Sequence, residues 1–178
     1  MKQLVNRAIK GDQEAFVQLI QENTQGMYKV ARSILRNEED IADAMQDTIV
    51  TCYEKINTLK KPQYFKTWLT RILINNCNDI IRSKKREWVG EVYTEEVSTT
   101  SDFARFEFVQ MLQGLDEKYR LILILYYVQE FRVKEIAELL QMSSATVKTR
   151  LARGRKALEK MYEIDNKESI HTEKAMLL

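Results

Sequence analysis

The chain has 178 residues, enough for one or two small domains, and its 28 basic against 26 acidic side chains leave a net charge of +2. Five glycines and one proline interrupt a composition rich in Leu, Ile, Glu, Lys, Arg and Gln, which predicts an all-α fold. One histidine (His171), two distant cysteines (Cys52 and Cys77) and no CxxC pair argue against a zinc site or a histidine-based catalytic centre.

The two cysteines fall in helical apolar patterns and read as small core residues in a reducing compartment. The N-terminal run MKQLVNRAIKGDQEAF lacks the apolar stretch of a signal peptide. No apolar run nears the roughly 20 residues that span a bilayer. The expectation is a cytoplasmic protein that is not an enzyme and takes no metal, cofactor or small-molecule substrate. With so small a net charge, any affinity for nucleic acid must come from where the charges sit.

Residues 1 to about 88 form the first predicted domain, with three or four helical segments. Asp12 is placed to cap a helix carrying Ala15, Phe16, Leu19, Met27, Val30, Ala31 and Leu35 on one stripe. Asn37 caps the next helix, which has Glu38, Glu39 and Asp40 in its first turn, where the helix dipole favours acids. That helix runs to about Ile56. Ile41, Met45, Ile49, Cys52 and Ile56 form its expected core side, and Asp40, Asp43, Gln46 and Asp47 its acidic stripe. The stripe reads either as a solvated face or as a docking surface for a partner. A carboxylate metal site is disfavoured because no histidine and no second carboxylate helix accompany it.

Asn57 to Lys61 reads as a loop, and Pro62 is suited to the first turn of a helix running to about Trp88. This helix has a polar stripe of Thr67, Arg71, Asn75, Asn78, Arg82 and Lys85, bordered by Trp68 and preceded by Tyr64 and Phe65. Basic and amide groups hold phosphates and read bases, while aromatic rings stack on unpaired bases at about 1–3 kcal/mol each. That suits single-stranded DNA. The alternative is that Trp68 and Phe65 are core and the stripe is merely solvated.

Residues 89–102 (VGEVYTEEVSTTSD) lose the helical period and read as a flexible linker. Residues 103–162 return to helix, with a turn expected at Gln113–Gly114 and a buried helix, or alternatively a buried strand, at Leu121 to Val128. From Phe131 to Lys160 the pattern is two helices around a turn at Gln141–Met142–Ser143, with Ser143 or Ser144 capping the second. At about 100° per residue, Val147, Leu151, Gly154, Leu158 and Met161 share one stripe. Thr146, Thr149, Arg153, Lys156 and Lys160 lie opposite, with Lys148 and Arg155 on one flank and Arg150 on the other. An apolar back and a basic front fit a helix that enters a DNA groove while docked on its own domain. An ordinary amphipathic surface helix has the same pattern. Residues 163–178 read as a polar, frayed tail.

Three motifs in order carry a family resemblance: EDIADAMQD (39–47), YFKTWLTRILINNCNDIIRSKKR (64–86), and LDEKYRLILILYY followed by EIAELLQMSSATVKTRLARGRKAL (115–127 and 135–158). Together they resemble the extracytoplasmic-function (ECF) sigma factors, small two-domain members of the sigma-70 family, from about Ala8 to Met161 with the linker skipped. The resemblance implies a promoter-specificity subunit of bacterial RNA polymerase. It assigns Asp40, Asp43, Gln46 and Asp47 to the clamp helices of the largest core subunit. Lys61, Tyr64, Thr67, Trp68, Arg71, Asn75, Asn78, Arg82 and Lys85 fall to the −10 element. Ser144, Thr146, Lys148, Thr149, Arg150, Arg153 and Lys156 fall to the −35 element. It further implies that residues 103–162 bind the polymerase flap tip, that the linker threads near the RNA exit path, and that an anti-sigma factor, often membrane-bound in this family, is a partner. Ala42, where an acid is common, Thr48–Ile49, and Gln141 in place of a turn glycine depart from the usual pattern, as does the short lysine-bearing loop from Asn57 to Gln63. A plain helix-turn-helix regulator would explain residues 131–160 but neither the WLTRILINN helix nor the acidic stripe. A helical carboxylate metalloenzyme is the third, least supported class.

Overall fold

A computed structural model describes the backbone of residues 1–87, 112 and 114–176, and the side chains of 1–84, 112 and 114–161. The expected linker and residue Gln113 of the expected turn lie outside these residues. No strand occurs among the described residues, in agreement with the all-α reading. The chain divides into two compact units.

The first unit contains α1 (Lys2–Ile9), α2 (Gln13–Ile34), α3 (Glu38–Lys55) and α4 (Phe65–Glu87). Gly11 turns the chain between α1 and α2 at φ +92°, a conformation that costs a side chain dearly and glycine little. Asp12 then caps α2 by accepting from the Ala15 N–H at 3.0 Å, and Arg7 pairs with its carboxylate at 2.7 Å. The Ala15 N–H and the Arg7 guanidinium hold this carboxyl below its ordinary value. Asn37 caps α3 through the Glu39 N–H at 2.7 Å. A 3₁₀ turn, Ile56–Thr58, ends α3, and a second, Pro62–Tyr64, leads into α4. Pro62 therefore opens a 3₁₀ turn, and the α-helix itself begins three residues later.

Helices α2, α3 and α4 pack against one another, and α1 packs on α2. Their shared core includes Leu19, Met27, Val30, Ile41, Ala44, Cys52, Phe65, Leu69, Leu73 and Cys77. The Leu, Ile, Val, Met and Phe side chains among them each contribute about 1.5–3 kcal/mol on full burial. Burial also pushes both thiols up to about 12.

The second unit contains α5 (Glu117–Leu123), the first four residues of a π-helical turn (Ile124–Val128), α6 (Val133–Leu139) and α7 (Ser144–Met176). The apolar run from Leu121 is helical, and four consecutive residues, Ile122 to Leu125, are buried. Burial on every side of the helix explains why this run has no helical period in the sequence. The Glu135 carboxylate accepts from the Arg132 N–H at 2.8 Å to start α6. The backbone of α7 continues through residues expected to fray, as far as Met176.

Candidate nucleic-acid and protein interfaces

The turn between α6 and α7 closes as a helix-turn-helix requires. Met142 N–H donates to Ala137 at 3.0 Å, with Gln141 at φ +51° where glycine is the usual occupant. Ser143, the first of the two candidate caps, accepts from the Thr146 N–H at 3.0 Å. Val147 and Leu151 are buried, and Gly154 lets α7 press on α5. A Cβ at Gly154 would stand 3.0 Å from Leu123 Cδ1 and 3.3 Å from Tyr119 Cβ. The apolar back of α7 is thereby fixed, and its front is left to solvent.

On that front Lys148, Thr149, Arg153 and Lys156 are exposed, while Ser144 and Thr146 are half-buried at its start. The Thr149 hydroxyl donates to the Ala145 carbonyl at 3.0 Å. Arg150 is set apart from these. It is half-buried and lines a recess of about 380 Å³ with Asp116, Lys118, Leu121, Leu140 and Met142.

In the first unit, α4 resolves the question left by its aromatics residue by residue. Phe65 is core at 1% exposure, so that residue takes the packing alternative. Trp68 is half-buried, its ring 6.1 Å from Phe65 at 44°, on the border between core and stripe. Arg71 and Asn75 are exposed, and Thr67 and Asn78 half-buried. Tyr64 is exposed, with Lys61 Nζ 5.9 Å from its ring. Arg82 pairs with Asp79 at 2.8 Å. The side chain of Lys85 lies outside the described residues. The stripe is thus continuous from Lys61 to Asn78, and its far end is already occupied by local pairing.

The acidic stripe of α3 divides similarly. Asp43, Gln46 and Asp47 are exposed, but Asp40 pairs with Lys84 at 2.7 Å and its side chain is only 15% exposed. Asp40 looks toward α4 and ties the two helices together. A second tie joins them further along: Asn76 donates to the Thr48 hydroxyl at 3.0 Å, and Thr48 to the Ala44 carbonyl.

On the opposite flank of α3 is a surface that periodicity missed. Met45 and Ile49, expected as core, are half-buried, and they form a shallow groove of about 380 Å³ with Tyr28, Ala42, Gln46 and the exposed Val50. The buried side of α3 is instead Ile41, Ala44, Thr48, Cys52 and Ile56. One signal was present in the sequence. Ala42 and Val50 lie outside the expected core stripe, so α3 carries apolar side chains over more of its circumference than one buried face needs. At the groove's end, Glu38 accepts from the Tyr28 hydroxyl at 3.1 Å and from Arg32, itself largely buried, at 2.6 Å. Burial, then the Glu38 charge, raises the Tyr28 hydroxyl above its ordinary value. Among the described residues no group of three or more His, Cys, Asp or Glu side chains is arranged to hold a metal ion, and no helix is long and apolar enough to cross a membrane.

Two family models match the chain, sigma-70 region 2 over residues 13–87 and sigma-70 region 4 over residues 105–158. The sigma factor NccH of Alcaligenes xylosoxydans xylosoxydans is 33% identical, over 87% of this chain and 90% of that protein. The ECF sigma factor SigW of Bacillus subtilis (strain 168) is 29% identical, over 90% of this chain and 95% of SigW. This chain belongs to the ECF sigma factors of the sigma-70 family. It is an alternative sigma factor that directs promoter-specific transcription initiation. Among solved structures, CnrH in complex with the cytosolic domain of CnrY matches this sigma factor with a TM-score of 0.66 and 27% identity, over 92% of this chain and 97% of CnrH.

Proposed function

We propose a division of labour between the two units of this sigma factor. In the first, the flank of α3 bearing Ala42, Asp43, Gln46, Asp47 and Val50 docks on the clamp helices of the RNA polymerase core. The exposed part of α4, from Lys61 and Tyr64 through Thr67, Trp68, Arg71, Asn75 and Asn78, holds the opened −10 strand. In the second, Ser144, Thr146, Lys148, Thr149, Arg153 and Lys156 enter the major groove at the −35 element, and the same unit binds the flap tip. Asp40 and Arg150 support helix packing more than they contact partners, and Arg82 is paired within its own helix.

The observation that carries this reading is the pairing of two different surfaces in one chain. One is an aromatic, amide and basic face suited to unstacked bases, and the other a basic helix front suited to a duplex groove. The protein acts by binding rather than by catalysis, in the cytoplasm, and an anti-sigma factor holds it inactive by covering the α3 groove. A membrane-anchored inhibitor would keep it at the membrane. The test is reconstitution with core polymerase and transcription from a promoter library. The expected result is initiation at a shared pair of upstream and −10 elements. Core binding without promoter selection would overturn the assignment.

A further inference from the structure

Behind the basic front of α7, one flank is built differently from the rest. The Arg155 guanidinium lies 5.7 Å from the ring centroid of Tyr126 and 5.5 Å from that of Tyr127. The two rings meet edge to face at 4.9 Å and 82°. Consecutive residues of a regular α-helix point about 100° apart. Here both lie in the π-helical turn Ile124–Val128, a distortion found often at functional sites, and both rings reach the same guanidinium. Arg155 is exposed, and Tyr127 is 47% exposed. Among the described residues no ion pair includes Arg155.

A cation held by ring faces keeps its in-plane N–H donors, and a guanidinium's fork matches the oxygens of a phosphate. Two rings also restrict the side chain beforehand, so less conformational freedom is lost when it contacts a ligand. Its place on the helix selects which part of a duplex it meets. The exposed front centres on Thr149 and Lys156, and Arg155 lies about 110° around the helix from that centre at 100° per residue. A side chain so far round the helix points past the groove floor toward the strand backbone at the groove's edge.

We propose that Arg155, positioned by Tyr126 and Tyr127, is a phosphate-binding residue that anchors α7 beside the duplex groove and carries no base specificity. This rests on α7 being the duplex-reading helix. The two aromatics are positioning residues that act through Arg155.

The test uses the full chain assembled with core polymerase on a promoter duplex, with affinity followed against salt. Arg155→Ala is expected to reduce the slope of log affinity against log salt by about 0.9, one phosphate's worth. It should weaken cognate and scrambled upstream elements by the same factor. Arg155→Lys, which keeps the charge, should retain the slope. The pair Tyr126→Phe and Tyr127→Phe should match wild type, and the pair Tyr126→Leu and Tyr127→Leu should approach Arg155→Ala. An unchanged slope in Arg155→Ala overturns the proposal. So does a loss confined to core polymerase affinity, which would make this flank a protein contact, or a loss confined to the cognate element. Arg153→Ala, measured alongside, separates the two levels. If it too leaves upstream recognition untouched, the reading of α7 itself has failed.

Discussion

Helix α7 of the second unit and helices α3 and α4 of the first are all amphipathic, yet their polar faces have different fates. On α7 the front residues Lys148, Arg153 and Lys156 are exposed and enter no ion pair among the described residues. Between α3 and α4, one member of the acidic stripe is consumed where the helices pack, Asp40 paired with Lys84, and a hydrogen bond from Asn76 to Thr48 ties the same two helices further along. A polar residue predicts a binding surface only where nothing of opposite character packs beside it. The front of α7 keeps its charges unpaired among the described residues, while the first unit uses an ion pair to hold two helices in register.

The largest expected effect would sharpen that contrast on α3. Val50 is exposed beside the groove and Asp40 is turned to α4. Val50→Asp should weaken binding to core polymerase by about 2 kcal/mol or more, the size of a hot-spot loss and roughly thirtyfold. Asp40→Ala should leave it within about twofold, because an exposed or half-exposed ion pair contributes little. Competition against a second sigma factor measures both. Comparable losses in the two variants would mean the acidic stripe docks as a whole and the division drawn here is wrong.

A second prediction concerns how α7 is held. Gly154→Val places branched carbons where Leu123 and Tyr119 already stand, and overpacking of this kind costs about 1–3 kcal/mol. Thermal unfolding should show the loss in the second unit, with upstream recognition failing in step. If Gly154→Val were neutral, α7 would not be pinned by close approach to α5, and its basic front would not have a fixed aim.

Smaller still is the turn. Gln141 occupies a left-handed conformation that favours glycine. Gln141→Gly should therefore stabilise the second unit, by about 0.5–1 kcal/mol, without altering promoter preference. A destabilised Gln141→Gly variant would indicate that the glutamine side chain makes a contact worth more than its backbone strain. The thiols give the mildest test. With both raised to about 12 by burial, Cys52 and Cys77 should resist alkylation at pH 8 in the folded protein and react once it unfolds. Rapid labelling of the native chain would show that the α3–α4 core opens readily.

Helix identity and caps were legible because Asp12, Asn37 and Ser143 each stand one residue before, or at the mouth of, a periodic run. The apolar back of α7 was legible for the same reason. What periodicity missed is equally specific. It assigned Met45 and Ile49 to the core because it saw one helix at a time, and the position of α2 decides which apolar flank is covered. It could not foresee that Asp40 and Lys84, 44 residues apart, would meet. It had no access to the Tyr126–Tyr127–Arg155 cluster, because a π-helical turn breaks the 100° phase on which helical faces are counted. The family resemblance supplied roles for these helices, but the division of each stripe into surface and packing needed the tertiary fold.

The most direct test of two units reading two forms of DNA compares open-complex formation on duplex and pre-melted promoters. Arg71→Ala and Asn75→Ala, both exposed on α4, should slow opening of the duplex while binding the pre-melted template almost as wild type does. Under the proposed function their contacts form only after bases unstack. Arg153→Ala should lose upstream affinity on both templates alike, by about 1–3 kcal/mol for a lost base contact. Equal losses on the two templates for Arg71→Ala and Asn75→Ala would contradict the account, because they would place α4 on duplex DNA or in a purely structural role.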